Sequence, residues 1–514
     1  MKEILVLNLT RFGDLIQTTP LLRRLKAQHP SARVTLAAQQ RFSAILPLMS
    51  GYDRCILFDQ DDVTLRLERD ELLAGYEAVD RFVATLEEVQ YDLVVNLTAN
   101  RMSAYLVSLL HTNQTAGITS SDSGQRLISG AWGLYLYSFL LGDARRYNRI
   151  NLVDIFSKMA GVEPDSRPVE LHETAAGRLF ATTFLDKSGI GTDRLVGLQL
   201  GASDTDRCWS SESFASLSDR LQELDGVRTI LFGAPSELPL AKRAISLMKH
   251  PPINAVGATS IPELFSLLKS CSLLVSNDTG TMHFAAAGGV PVVMLTVGPA
   301  AFYCTGPYSA GNIALQSPLP CSPCRYHTEC NNPVCRDLIP VESVLDGCRL
   351  LLGETAELQG RDAGVRFFRS RFGSDGYLEW EVIRNGNEPL ERLSRRYSIA
   401  LKRFLDDATA SPLSTVPLFP ELVALTEQGI TLTSRIMKAA AQTPLPMELI
   451  GSLGAEESAI EAELKRLGAV KPHLAPLVDF LTLMRENISS DDLATVAEET
   501  RQLYHQGNLF ARQL

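Results

Sequence analysis

The sequence has no long hydrophobic run and no excess of positive charge. The apolar stretch Ala131 to Leu141 is too short to span a bilayer, and the start, Met1 to Leu7, lacks the length and cleavage site of a signal peptide. Acidic residues outnumber basic ones by 59 to 49, and the formal net charge is -10. A chain that grips nucleic acid over its whole surface needs the opposite balance. We therefore expect a soluble, cytoplasmic protein with no nucleic-acid partner.

Three common ligand signatures are also missing. The sequence contains no Gly-x-Gly-x-x-Gly, no Gly-x4-Gly-Lys-Ser/Thr and no His-Glu-x-x-His. Their absence argues against a Rossmann dehydrogenase, a P-loop nucleotide hydrolase and a zincin. What is present is a globular composition, with 45% hydrophobic and 21% charged residues in a chain of 514. At about 150 residues per domain, this length suggests about three domains.

Strand-like and helix-like segments alternate through the first third of the chain. Apolar strand candidates lie at residues 4–9, 33–38, 54–58 and 91–97. Leucines at helical spacing follow the first strand at about 15–28, and a long charged helix is predicted at about 65–89. Alternation of this kind predicts a parallel sheet covered by helices on both faces.

The alternation restarts after a proline-containing linker candidate at 161–173. Further strand candidates lie at residues 195–200, 229–232, 273–276 and 292–296. Helix candidates lie between and beside them, at about 211–224, 236–249, 261–269 and 280–287. The sequence therefore predicts two consecutive α/β units of similar size.

The character of the sequence changes from about residue 358. A β-hairpin is predicted at 367–383, with glycines at both ends of its turn. Helical segments follow at about 389–407, 419–441, 445–467 and 474–507. We therefore predict three domains, which are two Rossmann-like domains at 1–165 and 174–357 and a mostly helical extension at 358–514.

The first candidate site residue is Asp14, which follows the first strand and the turn glycine Gly13. Ligands of open α/β sheets bind at such strand ends. A carboxylate in a cleft can take a proton from an attacking hydroxyl, which makes Asp14 a candidate general base. Aspartate at the start of a helix is equally typical of an N-cap, and one residue can do both. Arg11 lies beside it in the sequence.

The second candidate is the turn Asp278-Thr279-Gly280, with His283 one helical turn further on. It joins an apolar strand to a helix rich in alanine and glycine. A glycine-bearing turn at a helix N-terminus offers free N–H groups and a positive dipole end, which suits a phosphate. The alternative is a capped helix with Asp278 or Thr279 as the cap.

Two more strand ends carry candidate donor-binding residues. Gly201 follows one strand, and Arg207 lies shortly after it; an arginine there could neutralise a diphosphate or could be a surface residue beside Trp209. Glu237 follows the next strand and could accept hydrogen bonds from ribose hydroxyls or serve as a first-turn helix acid.

A cysteine cluster follows the second α/β unit. Its members are Cys321, Cys324, Cys330 and Cys335. Four cysteines in fifteen residues could hold a structural zinc ion, with His327 as an extra ligand. Because the second pair lacks the tight Cys-x2-Cys spacing, a loop of unligated thiols is the alternative.

Together these stretches resemble glycosyltransferase family 9, the ADP-heptose:lipopolysaccharide heptosyltransferases. The resemblance covers about residues 1–352. It is carried by residues 4–30, 198–217, 231–237, 273–299 and 321–345, in that order. It implies the GT-B fold, in which two Rossmann-like domains face each other across a cleft. The N-terminal domain then takes the acceptor and the C-terminal domain takes the nucleotide-sugar.

The resemblance also implies roles for the candidate residues. Asp14 matches the base that deprotonates the acceptor hydroxyl, and Arg11 and Gly13 are the candidate acceptor-binding residues beside it. Arg207 falls where the family commonly has a lysine facing the donor phosphates, which makes it a candidate catalytic residue. The donor-binding candidates are Gly201, Glu237, Asp278, Thr279, Gly280 and His283.

The resulting hypothesis is an inverting, metal-independent transferase that needs no cofactor. Its donor would be a nucleotide-sugar, ADP-heptose by resemblance. Its acceptor would be a lipid-linked glycan of the lipopolysaccharide core or a related surface polysaccharide, at the inner face of the membrane, where the enzyme would bind peripherally. The alternatives are a GT-B sugar-nucleotide epimerase and a non-catalytic nucleotide-sugar-binding scaffold.

Overall fold

The structure is a computed structural model in which the chain forms two compact units. It describes residues 2–141, 143–202, 208–324, 330–355, 357–358, 364–386, 388–406, 419–442, 446–490 and 492–513. Unit 1 contains residues 1–98, 110–114 and 150–386, and unit 2 contains residues 99–109, 115–149 and 387–514. Both α/β sheets that carry the candidate site residues have strands in unit 1.

The first part of the chain alternates strands and helices as predicted. Its elements are β1 (Glu3–Asn8), α1 (Phe12–Gln28), β2 (Arg33–Gln39), β3 (Arg54–Phe58), α2 (Gln60–Glu68), α3 (Leu72–Glu87), β4 (Leu93–Asn96), α4 (Arg101–Ser108), β5 (Thr115–Ser120), β6 (Arg126–Ser129) and α5 (Ala131–Leu141). Within unit 1 the strands run parallel in the order β3-β2-β1-β4. The interior of β1 is buried on both faces, as expected for a strand covered by helices.

The long charged helix predicted at 65–89 is wrong in one respect, because two helices occupy this stretch. Helix α2 ends at Glu68, and Asp70 adopts a left-handed backbone conformation with a φ of 58° before α3 begins. A left-handed residue cannot continue a right-handed helix, so the break falls there.

The second part of the chain builds a larger sheet in unit 1. Its elements are α6 (Leu152–Met159), α7 (Ala175–Lys187), β7 (Arg194–Gln199), α8 (Ser211–Gln222), β8 (Val227–Phe232), α9 (Leu238–Leu247), β9 (Ile253–Asn254), α10 (Ile261–Lys269), β10 (Leu273–Asn277), α11 (Gly280–Ala287), β11 (Val292–Thr296), α12 (Phe302–Thr305), β12 (Ile313–Gln316), α13 (Val341–Leu351), β13 (Arg366–Phe372) and β14 (Leu378–Arg384). The strand order is β14-β13-β12-β11-β10-β7-β8-β9. The pairs from β12 to β9 are parallel.

The predicted hairpin is present as β13 and β14, and it extends this sheet. Strand β13 pairs antiparallel with β12, so that Phe367 lies opposite Leu315. Phe367 and Phe368 are fully buried. The larger sheet therefore continues to Arg384, well past residue 358, where the predicted extension begins.

The last part of the chain is helical and belongs to unit 2. Its elements are α14 (Glu388–Asp406), α15 (Pro420–Ala440), α16 (Met447–Val470), α17 (Ala475–Glu486) and α18 (Leu493–Gln513). The single helix predicted at 474–507 is therefore two helices. Within the described residues, no helix has the length and apolar character needed to cross a membrane.

Unit 2 also includes the antiparallel hairpin of β5 and β6, and α17 packs against α5. Asn487, which directly follows α17, is hydrogen-bonded to this hairpin. Its side chain accepts from the Ile128 N–H at 2.5 Å and donates to the Ile128 carbonyl at 3.0 Å. Arg126 adds an ion pair with Glu486 at 2.7 Å. Residues 115–149 thus fold with the C-terminal helices, and the three predicted domain bounds stay a prediction.

Candidate active site

Asp14 lies in the first turn of α1, directly after the C-terminal end of β1. Arg11 is the N-cap of this helix, so the interpretation of Asp14 as the N-cap is wrong. Asp14 is the third helical residue, and its Oδ2 accepts from the Arg11 backbone N–H at 3.4 Å. The carboxylate therefore supports the start of the helix.

The surroundings of Asp14 favour its protonated form. The side chain is half-buried, and desolvation by the surrounding protein raises its pKa above the ordinary value of 3.8. Hydrogen bonds from Thr10 and from the Arg11 backbone, and the positive charge of Arg11, act in the opposite direction and are outweighed. A carboxylate with a raised pKa is a stronger base once ionised, which suits proton abstraction.

The turn Asp278-Thr279-Gly280, called the donor turn here after its predicted role, lies between β10 and α11. Thr279 is the N-cap of α11, and its Oγ1 accepts from the Thr281 N–H at 3.1 Å. Of the two caps the sequence left open, the structure selects Thr279. Asp278 precedes the cap and is half-buried, and Gly280 is the first helical residue. The free N–H groups at this helix start are of the kind that can bind a phosphate, and the phosphate site stays a prediction.

Buried Asn277 fixes the donor turn to the neighbouring strand end. Its Oδ1 accepts from the Trp209 N–H at 3.0 Å, and its Nδ2 donates to the Leu200 carbonyl at 2.8 Å. Trp209 is in turn anchored by an Nε1–H hydrogen bond to the Ile339 carbonyl at 2.9 Å. The turn is therefore held by the core of the larger sheet.

The N-termini of α1 and α11 meet within unit 1. A Cβ placed on Gly13 would lie 2.9 Å from Cδ2 of His283 and 3.7 Å from Cα of Gly280. The rings of Phe12 and Phe284 have centroids 6.3 Å apart. The candidate base and the candidate phosphate turn, which are more than 260 residues apart in the chain, are therefore neighbours.

His283 is buried between these two helices. Its Nε2 lies 3.5 Å from Nε2 of Gln17, and within the described part of the chain its Nδ1 has no hydrogen-bond partner. Desolvation lowers the pKa of His283 to about 4, so the imidazole is neutral at neutral pH. It can therefore offer a ligand a hydrogen bond but no positive charge.

Glu237 lies at the edge where β7 and β8 end. Its Oε2 accepts from the Ala234 N–H at 2.6 Å, and its carboxylate accepts from Nε2 of Gln199 at 3.3 and 3.4 Å. A Cβ on Gly201 would fall 1.4 Å from Oε1 of Glu237. The absence of a side chain at Gly201 thus makes room for the carboxylate.

Gln17 and Gln199 are two site residues that sequence reasoning missed. Gln199 is buried at the end of β7 and links Glu237 to the start of α11, because its Oε1 also accepts from Oγ1 of Thr281 at 3.0 Å. Gln17 lies one helical turn after Asp14 and donates to the Gly13 carbonyl at 3.3 Å. Two features of the sequence could have indicated these residues. Gln199 is a polar residue at the end of an apolar strand, and Gln17 lies three residues after Asp14, on the same face of the helix.

Two predicted features fall partly or wholly outside the described residues. Arg207 belongs to the segment 203–207 and His327 to the segment 325–329, and both segments lie outside them. None of the nine cysteines, all of which the structure describes, forms a disulfide.

The cysteine cluster comes together around the half-buried Cys324. Burial, assisted by the three neighbouring cysteines, raises the pKa of the Cys324 thiol to about 11. Within the described ranges, no three histidine, cysteine or acidic side chains are arranged to hold a metal ion. The structural zinc stays a prediction.

Comparison with known proteins identifies the family. The model of glycosyltransferase family 9 (heptosyltransferase) matches residues 79–335, which is half of the chain. The chain belongs to this family and is a glycosyltransferase.

Curated relatives match most of their own length. The chain is 25% identical over 302 residues to lipopolysaccharide heptosyltransferase 3 of Escherichia coli, an alignment that covers 55% of this chain and 80% of that protein. It is 24% identical over 324 residues to lipopolysaccharide heptosyltransferase 1 of Pseudomonas aeruginosa, covering 63% and 86%.

The crystal structure of a family 9 glycosyltransferase from Veillonella parvula DSM 2008 has a similar fold. The TM-score is 0.55 at 23% identity, and the match covers 69% of this chain and 98% of that chain. The predicted fold class is confirmed: α/β of GT-B type, with two Rossmann-like sheets and a helical C-terminal part.

Proposed function

We propose that this glycosyltransferase moves heptose from ADP-heptose onto a lipopolysaccharide-core or related surface-glycan acceptor, with inversion and without a catalytic metal. One observation carries the proposal: the first turn of α1, which holds Asp14, lies against the N-terminus of α11. The lipopolysaccharide heptosyltransferases among the relatives support the choice of sugar and acceptor.

The proposed chemistry is a single displacement. The Asp14 carboxylate accepts the proton of the acceptor hydroxyl while the oxygen attacks the anomeric carbon from the face opposite the diphosphate. The bond between that carbon and the diphosphate oxygen breaks, and ADP leaves with the electron pair. One displacement inverts the anomeric configuration.

The leaving diphosphate needs positive charge or hydrogen-bond donors. We propose that the N–H groups at the start of α11 and the guanidinium of Arg207 supply them, which makes a metal unnecessary. Thr279 and Gly280 shape this helix start, and His283 contributes as a neutral imidazole. Glu237, with Gly201 beside it, would accept hydrogen bonds from the ribose hydroxyls of the donor.

The acceptor side completes the proposal. Arg11, exposed at the start of α1, and Gly13, next to Asp14 in the chain, would contact the acceptor. A lipid-linked acceptor would place the enzyme at the inner face of the membrane as a peripheral protein.

The first test measures binding and transfer separately. A ligand that binds only the folded state raises its melting temperature, so we expect stabilisation by ADP and ADP-heptose without added metal, and little by UDP or GDP. Asp14→Asn should retain the ADP-induced shift and lose transfer. Asp80→Asn, an exposed residue of α3, is the matched control and should retain both.

Two further measurements test the stereochemistry of transfer and the metal requirement. NMR of the transferred sugar should give an anomeric configuration opposite to that of the donor, and transfer should persist in EDTA. Stabilisation by UDP or GDP alone would contradict the ADP-heptose donor, and transfer by Asp14→Asn at the wild-type rate would contradict the assigned base.

A further inference from the structure

Unit 2 contains a pocket with a volume of about 280 Å³. Helix α4, the hairpin of β5 and β6, and helix α5 each contribute residues to its lining. Ala104 and Ile118, both buried, give one part of the wall an apolar surface. Pockets for drug-sized ligands have volumes of about 300–1,000 Å³, so this smaller one has room for a ligand with a single ring.

Two arginine–tyrosine pairs form the polar part of the wall. Nε of Arg101 donates to the Tyr105 hydroxyl at 3.0 Å, and its guanidinium lies over that ring, 5.5 Å from the centroid. Nη1 of Arg126 donates to the Tyr137 hydroxyl at 2.8 Å, and its guanidinium lies 4.3 Å from that centroid. These contacts hold both guanidinium groups in place before any ligand arrives.

Hydrogen-bond donors of both pairs remain free. Each tyrosine oxygen accepts from an arginine, so its own O–H hydrogen is left to donate. Within the described part of the chain, neither Tyr105 nor Tyr137 donates a hydrogen bond, and the two Nη groups of Arg101 make none. Among the described residues that line the pocket, none is acidic. The pocket therefore offers a ligand donors and positive charge.

The position of Arg101 in its helix also favours an anion. Asn100 is the N-cap of α4, so Arg101 is the first helical residue. A cation is unfavourable there, because the N-terminus is the positive end of the helix dipole. Arg101 forms no ion pair with any described residue that would offset this cost. A negative charge bound in the pocket would interact favourably with both the guanidinium and the dipole.

Residues at the end of α17 hold the wall that carries Arg126. Glu486 pairs with Arg126 at 2.7 Å, and its backbone carbonyl accepts from Nε2 of Gln125 at 3.0 Å. Asn487 binds both backbone groups of Ile128. Strand β6 is the last strand in the order of its sheet, so these contacts fix a strand that pairs with β5 alone. The C-terminal helices thus keep the pocket preformed.

We propose that this pocket binds a sugar ring that carries a carboxylate or a phosphate. Arg101 binds the charged group through its free Nη groups. The hydroxyls of Tyr105 and Tyr137 donate to oxygens of the sugar, and the C–H groups of the ring pack on the apolar part of the wall. Arg126, already paired with Glu486, acts mainly by holding the Tyr137 hydroxyl.

This site goes beyond the proposed transfer reaction. Its residues belong to unit 2, whereas Asp14, Glu237 and the donor turn belong to unit 1. It also gives the C-terminal helices a role, since they hold the hairpin that forms one wall. The test needs neither a nucleotide-sugar nor a glycan acceptor, so this proposal and the transfer proposal can fail independently.

The experiment is calorimetric titration of the full chain with four probes. Methyl β-glucuronide represents an acidic unit of a glycan, and glucose 6-phosphate represents a free sugar phosphate. Methyl β-glucoside and inorganic phosphate present the ring or the charge alone. We expect at least one anionic sugar to bind about tenfold or more tightly than either of these two. The tighter of the two anionic sugars identifies the source of the ligand.

Arg101→Gln should raise the Kd of the bound anionic sugar about tenfold or more, because it removes a charge-assisted hydrogen bond. The matched control is Arg392→Gln, at an exposed arginine of α14 that does not line the pocket; its Kd should stay within about twofold of wild type. Unchanged melting temperatures would show that both variants fold.

Tyr137→Phe keeps the ring and removes the free donor. It should raise the Kd about fivefold, which is typical for the loss of a hydrogen bond between neutral groups. Tyr76→Phe is the matched control, because Tyr76 is an exposed tyrosine of α3, and it should leave the Kd unchanged.

Three results would overturn the proposal of an anionic-sugar site. They are no binding of either anionic sugar, equally tight binding of methyl β-glucoside or inorganic phosphate, and equal losses in Arg101→Gln and Arg392→Gln. Binding that is lost in Asp14→Asn and kept in Arg101→Gln would also overturn it, because the sugar would then occupy the candidate active site. We expect Asp14→Asn to retain the wild-type Kd.

Discussion

Gly13 and His283 lie so close together that position 13 has no room for a side chain. A Cβ there would approach Cδ2 of the imidazole to 2.9 Å, and the ring is buried on its other sides. Because Gly13 precedes Asp14 and His283 belongs to the helix that follows the donor turn, this contact sets the spacing between the two halves of the candidate site.

Gly13→Ala should therefore impair both the site and the fold. Overpacking costs about 1–3 kcal/mol, and we expect the free energy of unfolding to fall by about that amount, with kcat/KM reduced about tenfold or more. Gly454→Ala, where a Cβ meets no atom within 4 Å, is the control and should leave activity unchanged. Adding His283→Ala should recover part of the lost stability; no recovery would show that the clash lies elsewhere.

Asp14→Asn should raise stability at neutral pH while abolishing transfer. The folded protein raises the pKa of this carboxyl, so the ionised group costs stability above that pKa, and the cost vanishes below the unfolded value of 3.8. The stabilisation by Asp14→Asn should therefore shrink as the pH falls through this window. Melting temperatures measured against pH would check it, and a gain that persists at low pH would exclude ionisation as its cause.

The same raised pKa predicts the acid limb of the pH–rate profile. Wild-type kcat/KM should fall as the pH drops through a pKa above 3.8, because protonated Asp14 cannot accept the acceptor's proton. A profile that stays flat down to that value would rule out Asp14 as the base. His283, whose pKa is about 4, should contribute no break near neutral pH.

Gly201→Ala should weaken donor binding through Glu237. The new Cβ would displace a carboxylate oxygen 1.4 Å away and disturb its contacts with Gln199 and the Ala234 N–H. Hydrogen bonds to charged groups contribute about 1.5–3 kcal/mol, so Gly201→Ala and Glu237→Gln should each raise the Kd for ADP by about tenfold or more.

Inorganic diphosphate is the control ligand for this prediction, since it has no ribose. Its affinity, measured by calorimetry, should be little changed in either variant. The double variant should be only slightly weaker for ADP than each single one, because both changes act on the same contact. An equal loss for diphosphate would assign Glu237 to the phosphates instead.

Tyr308→Phe should destabilise unit 1 without affecting donor binding. The buried hydroxyl of Tyr308 donates to Asp154 at 2.5 Å and accepts from Arg24 at 3.2 Å. Its removal leaves these two buried charged groups with one partner fewer, and we expect a loss of about 1–3 kcal/mol in chemical denaturation. Tyr52→Phe, at a half-buried hydroxyl with one backbone contact, should cost less.

Strands with dense β-branched and apolar residues could be predicted almost to the residue. The predictions at 54–58 and 292–296 coincide with β3 and β11. Strands β5 and β12 were not predicted, because the first is largely polar and the second has only four residues. Such segments become strands through pairing with distant neighbours, which local pattern does not encode.

The candidate site could be predicted in part for a topological reason. In open α/β sheets, ligands bind beyond the carboxyl ends of the strands. Asp14 after β1 of one sheet, and Glu237 and the donor turn after β8 and β10 of the other, could therefore be chosen from sequence position alone. Gln199 could not, because its role depends on contacts with Glu237 and Thr281, which lie 38 and 82 residues further along the chain.

The sequence by itself determined the α/β alternation, the strand-end motifs and the family, since these are written in local periodicity and short residue patterns. Only the tertiary structure decided that Gly13 meets His283, that Thr279 rather than Asp278 caps α11, and that the pKa of Asp14 is raised. The physical reason is that steric contact, hydrogen-bond geometry and desolvation depend on which distant segments come together, and local pattern carries no record of them.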